Sequence, residues 1–377
     1  PPCRIDGSPG TPIAEYLVVP DARRPRLLVP SGSRQVAAAA VRRYAEPQSR
    51  AARFKREAVV AAVRTGAAGV LLRDRVRVTG PFSRSIDGHL SEVLGRELAV
   101  SVHIGPARAN RKPVLQLISP DGDTFGFGKL GTGPLTQQLV RAETAALTTL
   151  AGSGLTKLTV PRVLHSGMWR GLQVLVQSAL PVWLSRAPLS KRRLVAAMLD
   201  VAGCRGYSTS QLSASAYWHD LHGRLVALSD RPEGAGLAAA AELLVQRAGD
   251  LVFPFGAWHG DWAPWNMANL ADTLLVWDWE RFATGVPLGF DAAHHELQKR
   301  IQATGNAQEA VEATVREAGE LLAPFGVPVP GREITALLYL VELATRYLTD
   351  RQAESGARLG VLGTWLLPVL IRRVEEL

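Results

Sequence analysis

Short apolar runs, some of them alternating with polar residues, recur through the first half of the chain. Runs of this length that are bounded by Gly, Pro, Asn or Asp are typical of β-strands. The pattern predicts strands at residues 15–19, 26–29, 70–78, 98–104, 113–118, 124–130, 160–164 and 172–178. Turns are expected at residues 119–122, which have the composition of a hairpin turn, and around Gly167.

Apolar residues at helical spacing mark the other segments, which are residues 36–44, 51–70, 85–94, 135–150 and most of the chain after residue 190. Strands thus share the first half of the chain with helices, whereas helices dominate the second half. We divide the chain into a basic N-terminal α/β extension at residues 1–88, a strand-rich part at residues 89–180, and a mostly helical part at residues 181–377.

The chain has 377 residues, of which 47% are hydrophobic, and this length suffices for two lobes and an extra segment. No apolar run reaches the ~20 residues that a membrane-spanning helix needs, and the N-terminus lacks the pattern of a secretion signal. Cys3 and Cys204 are the only cysteines, which argues against a disulfide framework or a structural zinc site. We therefore expect a cytoplasmic protein.

The formal net charge is +9, and much of the excess lies in residues 21–87, which hold about fifteen basic and about five acidic residues. Such a field favours anionic partners, such as ATP, an acidic peptide, or a phosphorylated or carboxylated metabolite. It disfavours a site for polycations. No basic stripe with interleaved aromatic residues is present, which argues against nucleic-acid binding. The alternative explanation for the basic excess is a genome whose base composition favours Arg and Ala codons.

A cluster of polar residues follows an apolar segment late in the chain. His259-Gly-Asp261 is followed by Asn266, in the form H-x-D-x-x-x-x-N. Residues 274–277 form a short apolar run that predicts a buried strand, and Asp278 stands at its end. One alternative is that Asp261 and Asn266 are turn formers and Asp278 is a helix cap. The combined spacing instead favours one shared site.

The spacing is that of a kinase catalytic loop. Transfer of a phosphoryl group from ATP depends on positioning and on neutralisation of charge. A carboxylate has to orient or accept the proton of the attacking hydroxyl, and oxygen ligands have to hold Mg²⁺. Asp261 is therefore the candidate base, and Asn266 and Asp278 are the candidate metal ligands.

Lys129 and Glu143 form a second candidate pair. Phe125, Phe127 and Lys129 share one face of a predicted strand. Glu143 lies within an apolar stripe of the following helix, where a carboxylate is unfavourable unless it is paired. Lys129 is the expected partner, in the pattern of the lysine and glutamate that orient the phosphates of ATP. Otherwise both side chains face water.

The segments His-Gly-Asp261-x-x-x-x-Asn266 and Trp-Asp278-Trp-Glu280 resemble the two signature segments of the aminoglycoside phosphotransferase and choline kinase superfamily. The resemblance covers roughly residues 90–377. It implies a bilobal protein-kinase-like fold of the α+β class, with an antiparallel-sheet N-lobe and a mostly helical C-lobe. It also implies catalytic roles for His259 and Asp261, with ATP and Mg²⁺ as cofactors.

The same resemblance assigns nucleotide-binding groups to the N-lobe and its hinge. The backbone C=O of Ser178 and N–H of Leu180 would contact the adenine. The loop at residues 105–113 has a single glycine, so the side chains of Arg108 and Asn110 are expected to contact phosphate oxygens instead. The alternative for this loop is a solvated hairpin.

Other polar residues of the second half are interpreted as structural. Asp291 matches a position at which the family has an Asp that braces the catalytic loop. His219 and His222 lack a third ligand for zinc, and the run His294-His-Glu296 is expected to belong to a helix surface or core.

The leading hypothesis is a phosphotransferase that acts on a hydroxyl of a small molecule such as an antibiotic, a sugar or an amino alcohol. A second is a kinase for Ser or Thr of a peptide held by the basic N-terminal extension. A third is a pseudokinase or binding module, which the Gly-poor loop motivates. The presence of five candidate residues opposes it, namely Lys129, Glu143, Asp261, Asn266 and Asp278. The sequence leaves the acceptor, ATP or GTP preference, and oligomeric state open.

Overall fold

The computed structural model describes residues 12–43, 50–66, 72–105, 108–357 and 359–377. Its strands are β1 (Pro12–Val19), β2 (Leu27–Pro30), β3 (Arg75–Thr79), β4 (Ala99–His103), β5 (Val114–Ile118), β6 (Thr124–Gly131), β7 (Leu158–Thr159), β8 (Val163–Trp169), β9 (Leu172–Ser178), β10 (Ser208–Gln211), β11 (Val252–Trp258), β12 (Met267–Asn269), β13 (Leu274–Val276) and β14 (Ala283–Pro287). Its α-helices are α1 (Arg34–Arg43), α2 (Arg50–Thr65), α3 (Ile86–Leu94), α4 (Pro134–Ala151), α5 (Lys191–Ala202), α6 (Ala216–Val226), α7 (Pro232–Ala248), α8 (Phe290–Thr304), α9 (Ala307–Arg316), α10 (Ala318–Leu322), α11 (Arg332–Thr349) and α12 (Leu367–Glu376).

This order of elements confirms the predicted α+β class. The chain divides into two compact units, of which the first takes residues up to 106 together with 111–140 and 163–179. The second takes residues 107–110, 141–162 and 180–377. The predicted end of the second helix, near residue 70, lies outside the described residues. The boundaries proposed at residues 88 and 180 remain predictions.

The first unit is built on one antiparallel sheet of eight strands, in the order β3-β1-β2-β4-β5-β6-β9-β8. The three strands of the N-terminal extension continue this sheet, because β2 pairs with β4 through Leu27 and Leu28. Apolar residues of α1 and α2, among them Val60 and Val63, pack against this end of the sheet. The extension thus shares its sheet with the strands that follow it.

A buried carboxylate links the extension to the rest of this unit. The Tyr16 hydroxyl on β1 donates to Asp87 Oδ2 over 2.8 Å, and the Val100 N–H on β4 donates to Asp87 Oδ1 over 3.0 Å. Burial raises the pKa of the Asp87 carboxyl, whereas these two hydrogen bonds lower it. A buried acceptor of this kind is unfavourable unless it is hydrogen-bonded.

The turn expected at Gly167 was wrongly placed. Gly167 lies inside β8, opposite Val174 of β9, and the turn is formed by Arg170 and Gly171, with φ of 49° and 80°. Two successive residues with positive φ are the requirement of a tight type I′ hairpin turn. β8 is the last strand of the sheet, and an edge strand accommodates polar residues and glycine that a central strand would exclude.

The second unit is mostly helical, with two small sheets in the orders β10-β11-β14 and β12-β13-β7. Helix α11 lies at the centre of its apolar core, since every residue from 334 to 345 is buried. A helix that is buried on all sides is a core element rather than a surface element. Among the described residues, no helix combines the length and the apolar character that a membrane span requires.

Substitution of Tyr16 by Phe should destabilise the first unit by about 1–3 kcal/mol, because it leaves the buried Asp87 carboxylate with one fewer donor. Urea denaturation would measure the change in the free energy of unfolding. Tyr207→Phe is the matched control: its hydroxyl donates to the Leu199 carbonyl over 2.9 Å at an exposed position, so its effect should stay within about 0.5 kcal/mol. Equal effects of the two variants would contradict the bridging role of Asp87.

Candidate active site

The candidate residues of the second unit lie on one loop and one hairpin. β11 ends at Trp258 and leads directly into His259, Gly260 and Asp261. Asn266 precedes β12, which pairs with β13 in a register that sets Met267 opposite Val276. The Trp277 N–H donates to the Asn266 carbonyl over 3.0 Å. The hairpin therefore brings Asn266, the last residue of the H-x-D-x-x-x-x-N motif, next to the end of the apolar run that precedes Asp278.

His259 joins these two segments. The Asp261 N–H donates to His259 Nδ1 over 3.0 Å, and His259 Nε2 lies 3.0 Å from the Trp277 carbonyl. Nδ1 is thus an acceptor, so Nε2 carries the proton and donates to that carbonyl. Burial lowers the pKa of this fully enclosed imidazole to about 4, and the ring is neutral at pH 7. Both of its nitrogens are occupied by backbone groups.

Asp291 holds the same loop from the opposite side. Its carboxylate, in the first turn of α8, accepts the His259 N–H over 2.8 Å and the Gly260 N–H over 3.1 Å. Burial raises the pKa of this carboxyl to about 7, against the two backbone hydrogen bonds, which lower it. These contacts agree with the bracing role that the resemblance implied for Asp291.

The Asp261 carboxylate is hydrogen-bonded at both oxygens. His294 Nε2 lies 3.0 Å from Oδ1, and Asn266 Nδ2 donates to Oδ2 over 3.0 Å. Burial would raise the pKa of this carboxyl, but the hydrogen bond from His294 and the charge of Arg346 bring it well below its usual value. Asp261 is therefore ionised at neutral pH, and 33% of its side chain stays exposed.

Three residues of this network were missed by the sequence reasoning. His294 was interpreted as a surface or core residue, although it follows Asp291 by one helical turn, which was a usable signal. Its Nδ1 lies 2.9 Å from the hydroxyl of Tyr339. Arg346, two turns further along α11, donates to the Gly260 carbonyl. No sequence motif indicated Tyr339 or Arg346.

An acidic group adjoins the end of the hairpin. Carboxylate oxygens of Glu143, Asp278 and Glu280 all lie within 4.8 Å of one another. Asp278 has φ of 73°, a left-handed conformation that Asp adopts more readily than most residues and that is frequent at functional sites. Donor sets made only of oxygen suit Mg²⁺ or Ca²⁺. Asp278 was a predicted metal ligand, whereas Glu280 was not.

One member of this acidic group, Glu280, shares a cleft of about 420 Å³ within the second unit with Asp261. Asp261, Glu280, Arg108 and Asn110 all line it, and Asn110 Nδ2 donates to Glu280 Oε1 over 3.3 Å. The rest of the lining consists of Trp265, Arg281, Gln298, Ile301, Gln302, Gly305, Arg346, Tyr347, Asp350, Gln352, Ala357 and Leu359. The cleft thus collects candidate residues that are distant in the sequence.

The remaining candidates are placed as follows. Lys129 is buried on β6, opposite Val114 of β5. Ser178 ends β9, and Leu180 packs with the apolar cluster of Ala268, Leu270 and Leu275. The Lys129–Glu143 pair and the hinge contacts to adenine remain predictions.

The histidines considered for zinc have other contacts. His219 Nδ1 lies 2.7 Å from the Ser215 carbonyl, and His222 faces Glu242 at 3.7 Å. Over the described part of the chain, neither histidine belongs to a group of three potential metal ligands.

Comparison with known proteins gives matches to solved structures only. No family model and no curated protein matches the sequence. The choline kinase LicA from Streptococcus pneumoniae is 16% identical with a TM-score of 0.49, over 78% of this chain and 98% of that one. A thermostable mutant of aminoglycoside phosphotransferase APH(4)-Ia, in ternary complex with ADP and hygromycin B, is 14% identical with a TM-score of 0.48, over 76% and 98%. A putative fructosamine-3-kinase from Thermobifida fusca is 18% identical with a TM-score of 0.46, over 78% and 99%.

Gly260→Ala should distort the loop that carries Asp261. Gly260 has φ of 82°, and a Cβ there would collide with the Arg281 carbonyl. Gly285→Ala is the matched control, because Gly285 has φ of 73° with no atom within 4 Å of the added methyl group. We expect about 1–2 kcal/mol of destabilisation at Gly285 from the left-handed backbone alone and a clearly larger loss at Gly260. Thermal unfolding of both variants measures the difference, and equal losses would show that the close approach is unimportant.

Proposed function

We propose that this protein is an ATP- and Mg²⁺-dependent phosphotransferase that moves the γ-phosphoryl group to a hydroxyl of a small molecule. The observation that carries the proposal is the cleft shared by an ionised Asp261 and the Glu280 member of the acidic group. A carboxylate for the hydroxyl and oxygen ligands for a divalent cation are the two requirements of this chemistry. Asp261 is the candidate for the first requirement, and Glu280 is the member of the acidic group that shares its cleft.

In this proposal Asp261 orients the acceptor hydroxyl and accepts its proton. Its carboxylate is held at both oxygens and still opens to the cleft. A low pKa does not disqualify it, because the transition state of phosphoryl transfer is largely dissociative, so that orientation of the hydroxyl matters more than strong basicity. His259, whose two nitrogens bind backbone groups, would act by positioning this loop.

Asn266 and Asp278 are the proposed metal ligands, supported by Glu143 and Glu280. The Asn266 amide nitrogen binds Asp261 twice, at its carbonyl and at Oδ2, so the amide oxygen is directed away from that carboxylate. Three clustered carboxylates and an amide oxygen fit a hard cation. A divalent cation held by these residues would supply positive charge against the phosphates of the nucleotide.

The remaining nucleotide contacts are proposed from the sequence resemblance. Lys129 would bind phosphate and be oriented by Glu143, and the backbone of Ser178 and Leu180 would bind adenine. Lys129 is buried, which favours a role toward a charged partner over a solvated strand end.

The charges of the cleft indicate the kind of acceptor. Arg281 is neutralised by an ion pair with Asp350, and the Asp261 carboxylate interacts with the positive charge of Arg346. Arg108 is exposed in the cleft and has no hydrogen bond or ion pair to other described residues. A neutral or anionic hydroxyl compound therefore suits the site better than a polycation. The exposed ring of Trp265 offers a surface on which such a compound could stack.

Release of ADP in the presence of sugars, hydroxy acids, amino alcohols, antibiotics and peptides would identify the acceptor. Asp261→Asn should lower turnover about 10²–10⁴-fold, because the group acts in the transition state. Binding of ATP with Mg²⁺ should stay within about threefold of the wild type, measured by titration calorimetry. Unchanged turnover in this variant would refute the role of Asp261.

Asp278→Asn should weaken Mg²⁺-dependent nucleotide binding at least about tenfold, because it removes one anionic ligand from the site. Asp272→Asn, in an exposed turn of the same hairpin, is the matched control and should bind like the wild type. Calorimetric titrations of ATP with and without Mg²⁺ separate the metal effect from the nucleotide effect. If both variants bind alike, the acidic group is not the metal site.

A further inference from the structure

Two fully buried polar side chains remain outside the roles assigned so far. Resting on the proposed function, we infer that His294 and Tyr339 form a hydrogen-bond relay that positions the Asp261 carboxylate for catalysis. His294 stands on α8 and Tyr339 on α11, and both have 0% exposure. The relay connects the core of the helical unit to the proposed base.

The hydrogen-bond partners fix the direction of the relay. The Asp261 carboxylate can only accept, so His294 Nε2 carries a proton and donates to Oδ1 over 3.0 Å. In a neutral ring Nδ1 is then an acceptor, and the Tyr339 hydroxyl donates to it over 2.9 Å. Burial lowers the pKa of His294, in agreement with the neutral ring. Every polar atom of the relay has a partner in this arrangement.

Packing restrains the orientation of both rings. The His294 and Tyr339 rings meet edge to face with centroids 5.8 Å apart, and the Phe290 ring packs against Tyr339 with centroids 6.0 Å apart. Leu338, Leu340 and Leu343, which lie close to Tyr339 on α11, are apolar and buried. An apolar pair would fill this volume without the need to satisfy buried polar atoms, so the polar pair gives the core no evident advantage in stability.

The polar pair instead restrains the orientation of the proposed base, Asp261. One hydrogen bond on each oxygen fixes the rotation of the carboxylate about its terminal bond. Without the donor on Oδ1, the carboxylate could turn about Oδ2 and the productive orientation would be lost for part of the time. Such a misplacement slows a reaction that depends on orientation and leaves binding of nucleotide unaffected. His294 and Tyr339 are thus positioning residues rather than groups that touch substrate.

Variants at His294 separate the donor from the volume of the ring. His294→Leu removes the donor and should lower kcat about 10–100-fold, with the KM for ATP within about twofold of the wild type. His294→Gln places an amide N–H near the position of Nε2, and its kcat should lie within about fivefold of the wild type. Turnover is measured as ADP release with the acceptor found in the screen or, in its absence, with water.

The hydroxyl of Tyr339 has its own control. Tyr339→Phe removes the donor to Nδ1 and should lower kcat about three- to tenfold. Tyr217→Phe removes a hydroxyl from the same core without touching the relay, and should leave kcat unchanged. Equal kcat in these two variants, or full kcat in His294→Leu, would overturn the relay.

A spectroscopic measurement tests the relay without any turnover. In protein labelled with ¹⁵N-histidine, the signal that disappears in His294→Gln belongs to His294. At pH 7 it should report a neutral ring with the proton on Nε2. An imidazolium or the opposite tautomer would refute the relay. An enzyme that shows this tautomer but neither binds ATP with Mg²⁺ nor releases ADP would refute the proposed function instead.

Discussion

The site depends on keeping one carboxylate ionised in a largely enclosed position. Transfer of a charged group from water into protein is strongly unfavourable unless other groups replace its hydration. At Asp261 that replacement comes from the His294 imidazole, the Asn266 amide and the positive charge of Arg346. These groups come from α8, the loop before β12, and α11. The packing of the helical unit therefore determines the state of the side chain that faces the cleft.

Hydrogen bonds from other parts of the second unit also replace water at the backbone groups of the loop around Asp261. Asp291 accepts two backbone N–H groups, the ring of His259 bridges the loop and the hairpin, and Arg346 binds the Gly260 carbonyl. Each contact satisfies a backbone polar group that is withdrawn from water. A loop whose backbone groups are paired in this way has few alternative conformations, and the proposed phosphoryl transfer, which depends on orientation, requires that restriction.

Charge in this protein is distributed unevenly between surface and site. Part of the basic excess of residues 21–87 lies on β3 of the first unit, where Arg75 and Arg77 pair with Glu15. Three acidic and three basic side chains line the cleft of the second unit, and Arg108 has no ion pair to the residues that the structure describes. The net charge of +9 therefore says less about the acceptor than do the few residues that line the cleft.

Local patterns in the sequence determined the α+β class, most strands and helices, and the loop-and-hairpin arrangement of Asp261, Asn266 and Asp278, because periodicity and short spacing act within a few residues. The turn at Arg170 was missed because an edge strand tolerates the polar residues and glycine that normally mark a turn. Only the tertiary structure selected His294 and Arg346, which lie 33 residues from Asp261 and 86 residues from Gly260. The periodicity of the sequence does not predict the partner of a buried polar side chain. That partner is determined when the helices pack, because each buried polar group then requires a hydrogen bond.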